Sequence, residues 1–137
     1  MSVFSLAFFT TLKGDATLIA DLSSFNSRKS IFMYQPIPKD VEPPYIISTG
    51  EISDDSFDTK DTVGREIRRD IRCYDFAEGD AIRIERIAER VRTLFHRQSI
   101  SFTGFKTIHI DVFGPIIADE EDLYGRILTV RCLLDAT

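Results

Sequence analysis

Few residues in this chain could do chemistry, and their spacing limits what that chemistry would be. His109 and Asp111 stand two apart in the segment KTIHIDVF. In an extended chain they share a face, where a histidine beside a carboxylate can pass a proton to or from a substrate. With Arg131 they would line a pocket on an exposed sheet face, as in a small enzyme or ligand-binding domain. A His-Asp pair around which no third group or pocket can be named is more commonly a solvated or interfacial contact. His96 closes an amphipathic stretch, where a helix dipole favours a cation. Neither histidine belongs to an HExxH spacing, and the chain has no glycine-rich phosphate loop and no nucleophile elbow. Cys73 and Cys132 lie far from any CxxC or histidine spacing, so they read as buried free thiols in a reducing compartment. No metal, cofactor or catalytic residue is expected.

Charge offers a second kind of chemistry. Arg65, Arg68 and Arg72 could meet phosphates, but Glu66 and Asp70 are interleaved among them, and the net charge is −5 with a pI near 5.0. Arg65, Glu66, Arg68, Asp70, Arg72 and Tyr74 are therefore candidates for cross-strand or intersubunit contacts. Acid gathers in two places: Asp54, Asp55, Asp58 and Asp61 in the polar run Ser53 to Thr62, and Asp119, Glu120, Glu121 and Asp122 in ADEED.

The elements that must position these groups follow from periodicity. Residues 3–12 carry Val3, Phe4, Leu6, Phe8 and Phe9 around most of a helix, which predicts burial on more than one side. The run lacks a positive region and cleavage site, so it reads as a soluble helix and not as a signal peptide. Gly14 ends it, and Asp15 caps a short helix to Leu22 with Leu18, Ile19 and Leu22 inward. SSFNSRKS reads as a polar connection, Ser30 to Tyr34 as a short strand, and Tyr45 to Ile52 as a strand entered through a double proline. From Arg65 to Phe76, Ile67, Arg69, Ile71 and Cys73 alternate against Glu66, Arg68, Asp70, Arg72 and Tyr74.

Ile84, Ile87, Ala88, Val91, Leu94 and Phe95 mark the longest helix, with Arg83, Arg86, Arg90 and Arg97 on a solvated face. A strand from Phe105 to Phe113 places Ile108, Ile110 and Val112 together and is closed by Gly114 and Pro115. A last strand from Tyr124 to Asp135 turns Leu128, Val130, Cys132 and Leu134 inward and Thr129 and Arg131 outward.

With 137 residues and 43% hydrophobic content, this is a single α+β domain over 1–137. It is expected to hold a mainly antiparallel sheet of four to five strands. One long helix and a short N-terminal helical segment pack on one face, and a long β-hairpin extends from Pro43 to Phe76. That hairpin exceeds what one helix can cover, and it carries no catalytic group. Assembly is the better reading of such a surface than chemistry.

In order along the chain, LKGDATLIADL, QPIPKDVEPPYIIS, DTKDTVGREIRRDIRCYDF, GDAIRIERIAERVRTLFH and GRILTVRCLLD resemble the tail completion or tail terminator proteins of long-tailed phages and of phage-like gene transfer agents. PPYI, T-x-x-G-R-E and A-x-R-I-A-x-x-V carry the resemblance most strongly. It implies a structural protein of the virion neck, assembled in the host cytoplasm. Such a protein forms a ring, typically of six copies, that caps the tail tube, ends its growth and joins it to the filled head. The partners implied are further copies of itself, a tail tube protein and a head connector or head-closure protein. DNA crosses the lumen without specific binding, and no membrane is involved. Either acidic segment is expected to face the channel or the docking ring. Another neck or adaptor protein is the alternative, and an enzyme using His109 and Asp111 a more distant one.

Overall fold

The computed structural model describes residues 2–56, 58 and 63–136. They fold as α+β, with three helices and a mostly antiparallel sheet. Helix α1 (Val3–Lys13) starts at Ser2, whose hydroxyl accepts the Ser5 N–H. Its buried stripe is Phe4, Phe8 and Leu12, spaced by four, while Val3 and Leu6 are exposed. The expected burial on several sides is thus corrected to one face. Helix α2 (Ala16–Ile19) is a single turn capped by Asp15, which accepts the Leu18 N–H at 2.9 Å.

The segment read as a polar connection forms a small ribbon, β1 (Ser24–Phe25) and β2 (Arg28–Lys29). It turns at Asn26 and Ser27, both with positive φ, as a tight hairpin turn requires. The main sheet has six strands, one more than the upper expectation: β3 (Ile31–Phe32), β4 (Tyr45–Ile47), β5 (Glu51–Ser56), β6 (Gly64–Phe76), β7 (Phe105–Ile117) and β8 (Leu123–Ala136), with helix α3 (Ile82–Phe95) between β6 and β7. Its order is β3-β4-β6-β8-β7.

β8 pairs with β6 along its whole length, so β4 and β5 share the other edge. The extra strand arises because the stretch predicted as one strand over 45–52 breaks after Ile47 and resumes at Glu51. As a result Asp54, Asp55 and Ser56 lie in strand and not in a loop. Strand β7 also runs past Gly114 to Ile117 through a register shift, where Gly114 takes a positive φ of 96°. A second shift between Thr107 and His109 turns Ile108 out to solvent, leaving Ile110 and Val112 as the inward residues.

Helices α1 and α3 cover one face of the sheet. Ile84, Ile87, Val91 and Phe95 of α3 join Ile71, Ile110, Leu128 and Val130 of the strands in the main core. Burying each such side chain contributes roughly 1.5–3 kcal/mol. The arginines read as a solvated face of α3 instead reach across to other elements: Arg83 pairs with Asp75, Arg86 with Asp21 and Arg90 with Asp15. A smaller cluster of Phe32, Tyr45, Ile47 and Tyr74 covers the β3–β4 end of the opposite face. Among the described residues no helix is long and apolar enough to cross a membrane.

Candidate functional site

Strand parity leaves one face of the sheet without a helix, and the charged residues gather there. Register sets Arg131 opposite Arg68 on β6 and opposite Asp111 on β7, with Thr129 opposite Asp70. Arg131 donates through Nε to Glu66 at 3.0 Å, and Arg68 donates to the same carboxylate at 3.2 Å. Arg131 also stands 3.6 Å from Asp111, and Thr129 donates to Asp70 at 2.7 Å. Acid and base therefore alternate across three strands, so the face is nearly neutral and holds no phosphate-gripping patch. The Arg131 hydrogen bond holds the Glu66 carboxyl below its usual range. Burial pushes Asp111 up, but the His109 hydrogen bond and the charges of Arg97 and Arg131 outweigh it, so its pKa is lowered.

His109 is closed on both sides. Its Nδ1 lies 2.9 Å from Nη1 of Arg97, which can only donate, so Nδ1 accepts. Its Nε2 lies 2.6 Å from Asp111 and must be the protonated nitrogen. The Nδ1 lone pair is thus directed at the exposed guanidinium of Arg97, beside a depression of about 230 Å³ between Arg97, Ser99 and Thr107. Among the described residues no group of three or more His, Cys, Asp or Glu is placed to hold a metal ion. Cys73 and Cys132 are free and buried, and burial pushes both thiols up to about 12.

The six candidates on β6 divide. Glu66, Arg68, Asp70 and Arg72 share the open face. Arg65 does not: it sits on the helix side, paired with Asp54, its guanidinium 5.0 Å from the Phe4 ring and 5.6 Å from the Phe105 ring. Odd and even positions of a strand face opposite ways, so Arg65 cannot join Arg68. Tyr74 has the open-face parity but is buried against Tyr45 in the small cluster.

Arg69 carries more than its sequence suggests. It is fully buried, with its guanidinium 5.2 Å from the Phe8 ring. It donates to Ser48 Oγ at 2.7 Å, to the Ser48 carbonyl at 2.8 Å, and to Ser5 and Glu51 at 2.9 Å each. It thereby ties the β4–β5 break to α1. The sequence signal was present, since an arginine stood on the inward parity of a strand, but no partner could be named for it.

The two acidic segments lie at opposite ends of the sheet. Gly64 at the start of β6 pairs with Asp135, and Phe76 at its end pairs with Leu123. Thirteen strand residues separate these ends by roughly 40 Å. Asp54 and Asp55 sit near the first end, in β5, and Asp58 accepts the Gly64 N–H at 3.2 Å; Asp61 falls outside the described residues. Asp119 to Asp122 form the β7–β8 turn at the second end. There Asp119 accepts from the Gly125 N–H and from Arg126, while Glu121 and Asp122 are exposed.

The outer edges of the sheet, at β3, β5 and β7, differ. The middle of β7 is sealed by the end of α3: Arg97 N–H donates to the Ile110 carbonyl, Val112 N–H to His96 Nδ1, and Arg92 to the carbonyls of Val112 and Gly114. His96 thus has a structural role as an acceptor. Among the described residues, β5 pairs only with β6, so its outer edge has no strand partner.

No family model matches the sequence, and no curated protein matches it. In fold, the chain is similar to a chain of the "Virion of native gene transfer agent (GTA) particle", with a TM-score of 0.78 and 16% identity over 96% of this chain and 94% of that one. At that identity the likeness is one of fold, and it extends over nearly the whole of both chains.

Proposed function

We propose that this chain is a structural protein of a phage-like virion, a ring subunit that caps the tail tube, ends its polymerisation and joins it to the DNA-filled head. The observation that carries the reading is the fold likeness over almost the full chain to a component of a gene transfer agent particle. The sequence resemblance to tail terminators points the same way. A sheet face left bare of helices, a β5 edge with no strand partner among the described residues and a His109 held between Arg97 and Asp111 suit assembly better than turnover.

In this reading the partners are further copies of the chain, the tail tube protein and the head connector, and DNA passes without specific contact. The roughly 40 Å between the two ends of the sheet suits different neighbours for the two acidic segments. One end of the sheet meets the tube and the other meets the head, with an acidic wall wherever phosphate must slide past. The purified protein mixed with tail tubes and viewed by negative-stain microscopy is expected to cap tube ends as rings. Tube ends left bare at saturating protein would overturn the proposal.

A further inference from the structure

A groove at the β3 edge of the sheet sets an apolar lining beside positive charge on an acidic chain. Its volume is about 520 Å³, it is floored by Phe9, Phe25, Phe32 and Met33, and it is bordered by the exposed Tyr34. Arg28 and Lys29 stand on its rim, and Lys13 lies 5.2 Å from the Phe9 ring. Among the described residues these three cations have no carboxylate within ion-pair distance, as also holds for Lys39, Arg72, Arg92 and Lys106, whereas Arg65, Arg69, Arg83, Arg86, Arg90 and Arg131 all have one. The groove is thus an apolar cleft with unspent positive charge, of a size suited to a few side chains.

The chain also carries a projection of matching chemistry. Beyond the shift at Gly114, β7 leaves Ile116 61% and Ile117 72% exposed, and the turn that follows places Glu121 and Asp122 in solvent. Neither isoleucine has a place in a core, although both lie on a paired strand. The groove lies at the β3 edge beside α1, whereas Ile116 and Ile117 lie on the opposite, β7 edge of the sheet, and the turn after them brings Glu120 beside Tyr45 and Gln35, Pro36 and Ile37.

We infer that the Ile116–Asp122 projection of one copy docks in the Phe9–Tyr34 groove of the next, with the isoleucines over the aromatic floor and Glu121 and Asp122 against Arg28, Lys29 and Lys13. Two different surfaces of one chain make a heterologous contact, which propagates head to tail and closes into a ring when the rotation per copy allows. Opposite charge at the rim orients the approach and rejects the reversed pairing. The inference rests on the ring reading above and names its subunit contact.

Charge exchange tests it. R28E/K29E leaves both surfaces of a chain negative, and E121K/D122K puts cations in place of the two docking acids of the turn, against a groove that is already positive. Each variant alone is expected to lose self-association at least tenfold in analytical ultracentrifugation, and an equal mixture of the two is expected to recover it. A carbodiimide applied to mixed ¹⁴N and ¹⁵N protein is expected to join Lys29 to Glu121 between copies, both free and on capped tail tubes. All four residues are exposed, and circular dichroism checks that the variants fold. Association that survives both reversals, or crosslinks only elsewhere, overturns the groove contact and leaves the ring reading standing. A chain that stays monomeric and leaves tube ends bare overturns both. If R28E/K29E instead abolishes binding of a labelled single-stranded oligonucleotide while self-association is unchanged, the groove serves nucleic acid and the inference fails.

Discussion

Truncating Arg69 to alanine should be among the most damaging single changes to this fold. Its guanidinium makes four hydrogen bonds, to Ser48 Oγ, the Ser48 carbonyl, Ser5 and Glu51, and none of its surface reaches water. Removing one partner of a fully buried charge pair costs about 3–5 kcal/mol. Two features place this site at the lower end. The Glu51 side chain keeps 21% exposure and regains water, and Ser48 Oγ retains its bond to the Asp70 carbonyl at 3.0 Å. The Ser48 carbonyl has no such relief, and a void opens beside Phe8.

The expected loss is therefore about 3 kcal/mol, a large part of the roughly 5–15 kcal/mol that holds a domain together. At roughly 3–5 °C per kcal/mol for a chain of this length, the midpoint should fall by about 10–15 °C. Thermal and urea unfolding by circular dichroism measures it, with an unchanged urea slope as the check on two-state behaviour. Arg69→Met, which keeps the stem over Phe8 and removes the charge, should lose less than Arg69→Ala. An Arg69→Ala midpoint within about 3 °C of the parent would refute the reasoning.

Four further outcomes follow from the same structure. In ¹⁵N spectra of histidine, the neutral ring of His109 should carry its proton on Nε2 and leave Nδ1 bare, and His109→Gln should leave tube capping intact; a neutral ring with a bare Nε2 would contradict the hydrogen-bond assignment. Gly125→Ala should destabilise by roughly 1–3 kcal/mol in urea unfolding, because the new Cβ would stand 2.3 Å from the Ala118 carbonyl oxygen and the backbone must shift. Asp15, Asp21 and Glu66 have lowered pKa values, held down by Arg90, Arg86 and Arg131. The unfolded chain therefore binds protons first, so the midpoint should be flat from pH 7 to about 5 and fall below about 4; a midpoint that rises below pH 4 would contradict those pairs. Cys73 and Cys132 should resist a thiol reagent at pH 8 until the chain is unfolded, and rapid labelling of the native protein would place them nearer the surface.

Period-two and 3.6 patterns made β6, α3 and β8 legible because each buries one face over more than ten residues. Parity alone placed Arg69 inward and Glu66, Arg68, Asp70 and Arg72 outward. What escaped depended on local departures from period. One extra residue near Ile108 turned that side chain out, and the shift at Gly114 carried β7 on to Ile117. The break after Ile47 made two strands of one, since Ser48 turns inward to meet Arg69.

The candidate site was readable as a list of charged residues and not as an arrangement. Arg65 and Arg68 looked alike in sequence, yet they answer to Phe4 and Glu66 on opposite faces. Tyr74 looked like an interface residue, but Tyr45 covers it. That the two acidic segments lie at opposite ends follows only from the β6–β8 register, which no local pattern encodes.

The central claim is a place in a particle, and removal of the gene followed by electron microscopy of the particles tests it most directly. The account predicts tails of irregular length detached from filled heads, restored to normal by the intact gene. Particles of normal tail length, still joined to full heads in the absence of this chain, would contradict it.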